Sequence, residues 1–193
     1  SFGWQRATEL PDFLPSWEYA TYYNMAMQNM GKQDAYLPEQ IQKYKDGSDP
    51  DNYPNVNHLK WLLESGSGFQ HQHNVSIQGG NATTSYNLSI GYRNQEGLTA
   101  KTSNERMTAL FSLRSQLSKS LTLSLNINAY NNKYNAPNGE PTSIDGIIGY
   151  AVREAPIYAG QKSDGSFGYQ DNYSPEAWLA SESFVENVSR NIN

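Results

Sequence analysis

Residues 121–132 read LTLSLNINAYNN. From Leu121 to Ala129 every odd position is apolar (Leu121, Leu123, Leu125, Ile127, Ala129) and every even position is polar (Thr122, Ser124, Asn126, Asn128). Successive side chains of a strand point to opposite faces, so this stretch carries one apolar face and one wet face. The fold turns on what the apolar face meets.

The same period of two recurs upstream. HNVSIQ (73–78) sets Val75 and Ile77 on one face, and SYNLSIGY (85–92) sets Tyr86, Leu88, Ile90 and Tyr92 opposite Ser85, Asn87, Ser89 and Gly91. RMTALFSLRSQL (106–117) offers Met107, Ala109, Phe111, Leu113 and Leu117 against Arg106, Thr108, Ser112, Arg114 and Gln116, with Leu110 as the exception. These read as consecutive amphipathic strands. Their connections alternate: GGNAT (79–83) and SKS (118–120) are tight, whereas RNQEGLTAKTSN (93–104) and NNKYNAPNGEPTS (131–143) read as long and polar. Antiparallel strands joined this way have short turns at one end and long loops at the other.

Composition narrows the choice. Only 37% of the 193 residues are hydrophobic, and mean hydropathy is -0.74, low for a filled soluble core. The net charge of -5 is spread along the chain, with no basic patch to engage nucleic acid. With no cysteine, disulfides, thiolate zinc sites and cysteine nucleophiles are excluded. No run approaches the roughly 20 apolar residues of a membrane helix. The opening SFGWQRATEL has neither an initiator methionine nor a signal-peptide layout, so the chain is expected to be a piece of something longer.

The N-terminal third has a helical pattern. Ser16 is placed to cap WEYATYYNMAMQNM, with Ala20, Tyr23, Met27 and Met30 on one face and Gly31 as the stop. PEQIQKYK predicts a second helix pairing Ile41 with Tyr44 and ending at Gly47, and residues 46–55 are turn chemistry. After residue 143, Asp164-Gly165 predicts a small hairpin between Ile157-Tyr158 and Phe167–Tyr169. SPEAW predicts a helix capped by Ser174 with Pro175 first, and FVENVSRNI resumes the strand alternation.

Three readings of the apolar face compete. A soluble sandwich buries it against a second sheet. A transmembrane barrel turns it to lipid and its polar face to a lumen; stripes of about nine residues match a tilted membrane strand, and Tyr92 and Tyr130 sit where an aromatic girdle belongs. An enzyme needs a constellation that the sequence does not display. His71 and His73 share a strand face, but no carboxylate or third histidine is spaced to join them. Asp46, Asp49 and Asp51 resemble the opening of a calcium loop interrupted by Pro50 and Pro54, and Gly79-Gly80 precedes no helix as a phosphate cradle requires. The sequons at Asn74, Asn81, Asn87, Asn172 and Asn187 are what Asn- and Ser-rich strands produce by chance. No catalytic residue, metal ligand or cofactor is expected.

YATYYNMAMQNMGK (19–32), YKDGSDPDNYPN (44–55), HNVSIQGGNATTSYNLSIGYRNQEGL (73–98) and LRSQLSKSLTLSLNIN (113–128), in this order and at these distances, resemble the early barrel region of SusC/RagA-type TonB-dependent transporters of Bacteroidetes. The resemblance covers nearly the whole chain. One departure stands out: where the family commonly follows YPN with a hydroxyl residue, Asp and Trp, this chain has Val56, Asn57 and His58, with Trp61 three positions on.

The resemblance implies an all-β fold, an antiparallel segment of about the first six strands of a large barrel, with a helical extracellular excursion near its start. Outer-membrane transporters with plugged lumens are of the 22-stranded kind. Residues 1–10 are expected to end the first barrel strand, 11–70 to form the helical extracellular region, and 71–193 to supply strands with short periplasmic turns and long extracellular loops. The implied location is the bacterial outer membrane. The implied partners are the lipid bilayer, a SusD-like surface lipoprotein acting as a lid, a glycan or peptide substrate, and TonB through a plug that this stretch does not supply. Nucleic acid is not among them. Lumen-facing candidates are Asn87, Ser89, Arg93, Thr108, Ser112, Arg114, Thr122, Ser124 and Asn126. Loop aromatics expected to meet ligand or lid are Trp17, Tyr22, Tyr36, Tyr53, Trp61, Tyr134 and Tyr158. The alternative function is a secreted soluble β-sandwich module for carbohydrate binding or adhesion.

Overall fold

The computed structural model describes residues 1–137, 143–181 and 184–192. Strands β1 (Phe2–Trp4), β2 (Phe69–Gly80), β3 (Thr84–Glu96), β4 (Ser103–Ser118), β5 (Leu121–Pro137) and β6 (Phe184–Ile192) form one six-stranded sheet whose spatial order is the chain order. The pairs from β1 to β5 are antiparallel. Among the described residues five helices lie between strands: α1 (Ser16–Asn29), α2 (Pro38–Asp46) and α3 (His58–Glu64) before β2, α4 (Ile144–Arg153) and α5 (Pro175–Ala180) before β6. The chain divides into a sheet unit (Ser1–Gln5, Gly66–Ala136, Val185–Asn193) and a helical unit (Arg6–Ser65, Pro137–Phe184). The sheet is antiparallel and open.

Within the sheet unit the short turns fall where expected. Between β2 and β3 the Asn81 carboxamide accepts from the Thr83 and Thr84 amides at 2.9 Å each, an Asx turn that reverses the chain. Only Lys119 and Ser120 separate β4 from β5. The expected long loop at 93–104 is shorter, because β3 runs on through Glu96 and β4 starts at Ser103. The turn is closed by Gly97 donating to Thr102 at 2.8 Å. Polar residues such as Asn94, Gln95 and Asn104 read as loop, yet they pair across the ladder, which needs backbone groups and not apolar side chains. Similarly 131–137 belongs to β5, while 138–142 of that expected connection lies outside the described residues.

In the helical unit, Ser16 does not cap α1; Pro15 holds the cap position, and the Ser16 amide donates to the Asn55 carboxamide at 2.9 Å. The expected face of Tyr23, Met27 and Met30 also gives way. The buried stripe is Ser16, Ala20 and Asn24, spaced by four, while Tyr23 and Met30 are exposed. A buried asparagine is tolerated because all its polar atoms are used: its carboxamide donates to the Tyr36 carbonyl at 2.7 Å and accepts from the Ala35 and Tyr36 amides at 2.9 Å each. Gly31 and Gly47 end α1 and α2 with φ of 68° and 64°, the left-handed conformation that glycine adopts freely.

The turn at Asp164-Gly165 forms, but its bridge joins Gln161 to Phe167 instead of the expected Ile157-Tyr158 pairing. Helix α5 is capped by Ser174 as read from the sequence. Two helices went unforeseen. Asn57 caps α3 by accepting from the Lys60 amide at 2.9 Å, and Ser143 caps α4 by accepting from the Gly146 amide at 3.1 Å. Leu59, Leu62, Ile147, Ala151 and Leu179 are buried where α3, α4 and α5 pack together.

Asn24→Ala orphans three backbone groups that the carboxamide satisfies. It is expected to destabilise the helical unit by about 2 kcal/mol, read as faster limited proteolysis within 6–65 and a lower melting temperature, with exposed Asn29→Ala as the silent control.

Candidate functional site

The antiparallel register collects like with like. Ile77 pairs with Leu88, Leu88 with Phe111, and Phe111 with Ile127; one step along, Val75, Ile90, Ala109 and Ala129 align in the same way. The opposite face carries the row Gln78, Asn87, Ser112, Asn126 and, further along, Gln72, Arg93, Arg106, Asn132. Leu110 alone breaks the polar pattern of β4, in a row with Ser76, Ser89 and Asn128. Among the described residues no second layer covers the apolar face: Val75 is 64% and Ile77 56% exposed, and Ile90, Met107, Leu123 and Ile127 are exposed too. A sandwich core is thereby ruled out for these side chains within the described structure.

Toward the β2 start the apolar face becomes aromatic. Trp4 lies 5.3 Å from Phe69 between ring centroids, Phe69 lies 5.6 Å from His71, and His71 lies 5.3 Å from His73 and 5.5 Å from Tyr92. The two histidines are thus members of a ring cluster at the end of the sheet from which the long connections leave. The register sets Asn87, Ser89, Arg93, Thr108, Ser112, Arg114, Thr122, Ser124 and Asn126 on the same, polar face of the sheet. That face is concave over Gln78, Ser85, Asn87, Arg114 and Asn126, enclosing a trough of about 620 Å³.

The helical unit contains a second constellation that the sequence did not display. His58 is the first residue of α3, Glu154 the residue that ends α4, and Glu176 the second residue of α5. Three helix ends therefore converge. His58 Nδ1 lies 2.6 Å from Glu176 Oε1 and 3.7 Å from Glu154 Oε2, with the three side chains 1%, 0% and 3% exposed respectively. Burial acts to depress His58, but the hydrogen bond and charge of Glu176, helped by Glu154, outweigh it and hold the imidazole above its ordinary pKa. Burial pushes the Glu154 carboxyl up to about 7 against the pull of His58. No short-range spacing signals this group, since His58 and Glu176 are 118 residues apart. The one legible trace was the histidine standing where the related pattern has tryptophan.

The loop aromatics divide by environment. Tyr36 and Tyr53 belong to a run of edge-on rings, Tyr23 to Tyr36 at 5.7 Å, Tyr36 to Tyr44 at 6.3 Å and Tyr44 to Tyr53 at 5.3 Å. Burial first, and the neighbouring phenols second, push the Tyr36 hydroxyl up to about 12. Trp17 and Tyr158 are half-buried, whereas Tyr22 and Trp61 are exposed. Tyr134 stands in β5, paired with Asn104, and so belongs to a strand. A further aromatic group, absent from the sequence reading, stacks Tyr150 on Tyr173 at 4.1 Å with Trp178 edge-on to both.

No protein-family model matches the chain. It is 27% identical over 192 residues to the TonB-dependent receptor P26 of Formosa agariphila, an alignment that covers 98% of this chain. The chain spans 17% of the length of that relative. The similarity, to a TonB-dependent receptor, is therefore distant and partial.

Removing either glutamate should have opposite consequences. In metal-free buffer with a chelator, Glu176→Ala leaves His58 buried without its partner and is expected to cost about 3–5 kcal/mol. Glu154→Gln removes a surplus buried charge at constant shape and is expected to leave the melting temperature unchanged or raised.

Proposed function

We propose that this chain is a wall segment of an outer-membrane TonB-dependent transporter of SusC/RagA type, importing a glycan or peptide beneath a SusD-like lipoprotein lid. The observation that carries the reading is the pair of faces created by one register: exposed apolar rows on one side against polar rows, interrupted at Leu110, on the other. Contiguous apolar surface of this extent is unfavourable in water, by roughly 25 cal/mol for each Å². Hydrocarbon removes that penalty, and such a sheet can enter it once further strands close it into a barrel with no unpaired edge. The aromatic cluster around His71 and Tyr92 suits the lipid headgroup level. Similarity to a TonB-dependent receptor supports the TonB-dependent part of this reading.

In this reading the polar face lines the lumen. Asn87, Ser112 and Asn126 supply donors and acceptors for a hydroxyl- or amide-rich solute, and Arg93 and Arg114 add fixed positive charge. The helical residues of 6–65 and 143–181 serve as extracellular loops, where Tyr22 and Trp61 offer exposed rings for a sugar face or for the lid. Energy enters through TonB acting on a plug elsewhere in the protein. The chain carries out no bond chemistry; it confines and guides.

Adjacent residues on opposite faces give the test. Ile127→Arg places a charge in hydrocarbon, at a cost of about 2–4 kcal/mol near the bilayer midplane, and is expected to reduce the folded, protease-resistant protein recovered from outer membranes or liposomes. Asn126→Arg is expected to insert normally and alter uptake only. Equal insertion of both variants, or a monomeric fold in buffer without detergent, would refute membrane embedding and favour a soluble adhesion or carbohydrate-binding module.

A further inference from the structure

The transport reading leaves His58, Glu154 and Glu176 without a task. Among the described residues the ion pairs of both glutamates are with His58 alone. Arg153, the nearest guanidinium in sequence, is engaged elsewhere: it lies 4.9 Å from the centre of the Tyr150 ring and donates to the Gly149 carbonyl at 2.8 Å. Both Glu154 oxygens and Glu176 Oε2 are buried without a hydrogen-bond partner. Buried carboxylate oxygens are seldom left so, because an unpaired buried charge is costly.

We infer that His58, Glu154 and Glu176 bind one divalent transition-metal ion, zinc by the donor set, which pins together the ends of α3, α4 and α5. One ligand atom from each of the three residues can be chosen so that all lie within 4.8 Å of one another. Donors bound at about 2.1 Å in a tetrahedral site stand roughly 3.4 Å apart. The 3.7 Å between His58 Nδ1 and Glu154 Oε2 is close to that separation, and Glu176 can turn its free Oε2 to the ion.

Charge favours the same occupant. A neutral imidazole with two carboxylates balances a dication, and on binding the proton between His58 and Glu176 leaves to solvent. One nitrogen and carboxylate oxygens, with no thiolate, suit zinc or its borderline neighbours better than calcium, which takes six to eight oxygens. A cavity of about 250 Å³ lined by Tyr19, Asn57, His58, Glu154 and Gln170 gives the ion a way in and room for a water as fourth ligand. Gly160 lies against the Glu176 side chain: a Cβ added there would stand 3.1 Å from its Oε1, so a larger residue at 160 would press on this carboxylate.

The test uses untagged protein in detergent, stripped with EDTA, titrated with ZnCl2 at pH 7.5 and desalted before metal analysis. One retained zinc per chain and a raised melting temperature are expected. Glu154→Gln, which keeps shape and removes one ligand, is expected to lose both, weakening affinity by more than the roughly 10- to 100-fold that an outer-shell partner contributes. His71→Ala and His73→Ala are expected to retain the zinc. No stoichiometric zinc in the unsubstituted protein would leave a proton-sharing triad and overturn the inference. So would zinc that survives Glu154→Gln, or zinc lost with His71 or His73. None of these outcomes bears on membrane insertion.

Discussion

Strand register is the constraint on which the rest depends. Because side chains alternate with a period of two, a slip of one residue between β4 and β5 would carry Ile127 to the polar face and Asn126 to the apolar one. The observed pairing of Phe111 with Ile127 and Ser112 with Asn126 avoids that mismatch, and the same phase is kept back to Ile77 and Gln78. Two closures enforce it. The Asx turn at Asn81 fixes β2 against β3, and the two-residue link at Lys119-Ser120 fixes β4 against β5, where the irregularity between Gln116 and Ser118 absorbs the extra residue.

The helical unit obeys a different logic. Its helices are short, and several are held by polar groups from distant parts of the chain. Asn55 reaches the start of α1, and Asn24 satisfies the backbone at 35 and 36. Asp51 accepts from the Ser163 amide at 2.9 Å and joins its two long segments directly. The hydrophobic contribution is modest, resting on residues such as Leu62 and Ile147, so directed hydrogen bonds carry much of the specificity. The triad at His58 is the extreme case, three ionisable groups buried together where packing alone would have placed apolar side chains.

This contrast explains what the sequence disclosed. The strands were legible because alternation is local: five consecutive odd apolar positions from Leu121 to Ala129 admit one interpretation. Strand ends were less so, since at Asn94 or Asn131 the ladder continues by backbone pairing after the apolar code stops. The stops of α1 and α2 were written in Gly31 and Gly47, while the cap of α1 was not, because Asn55 is near it only in space. Helices α3 and α4 were missed for related reasons. HLKWLLE is only seven residues long, with its cap in an Asn that also reads as loop, and IDGIIGYAVR has two glycines inside. The triad had no spacing to read at all.

The connections differ most in what they permit. On one side of the sheet, two or three residues suffice to turn the chain. On the other, the whole segment bearing α1, α2 and α3 departs after β1 and returns before β2, and its neck is tied by the Gln5 amide donating to the Gly68 carbonyl at 2.8 Å. A neck of this kind fixes where the chain leaves and rejoins the sheet. The segment between β1 and β2 can therefore change in length without altering the phase of the ladder.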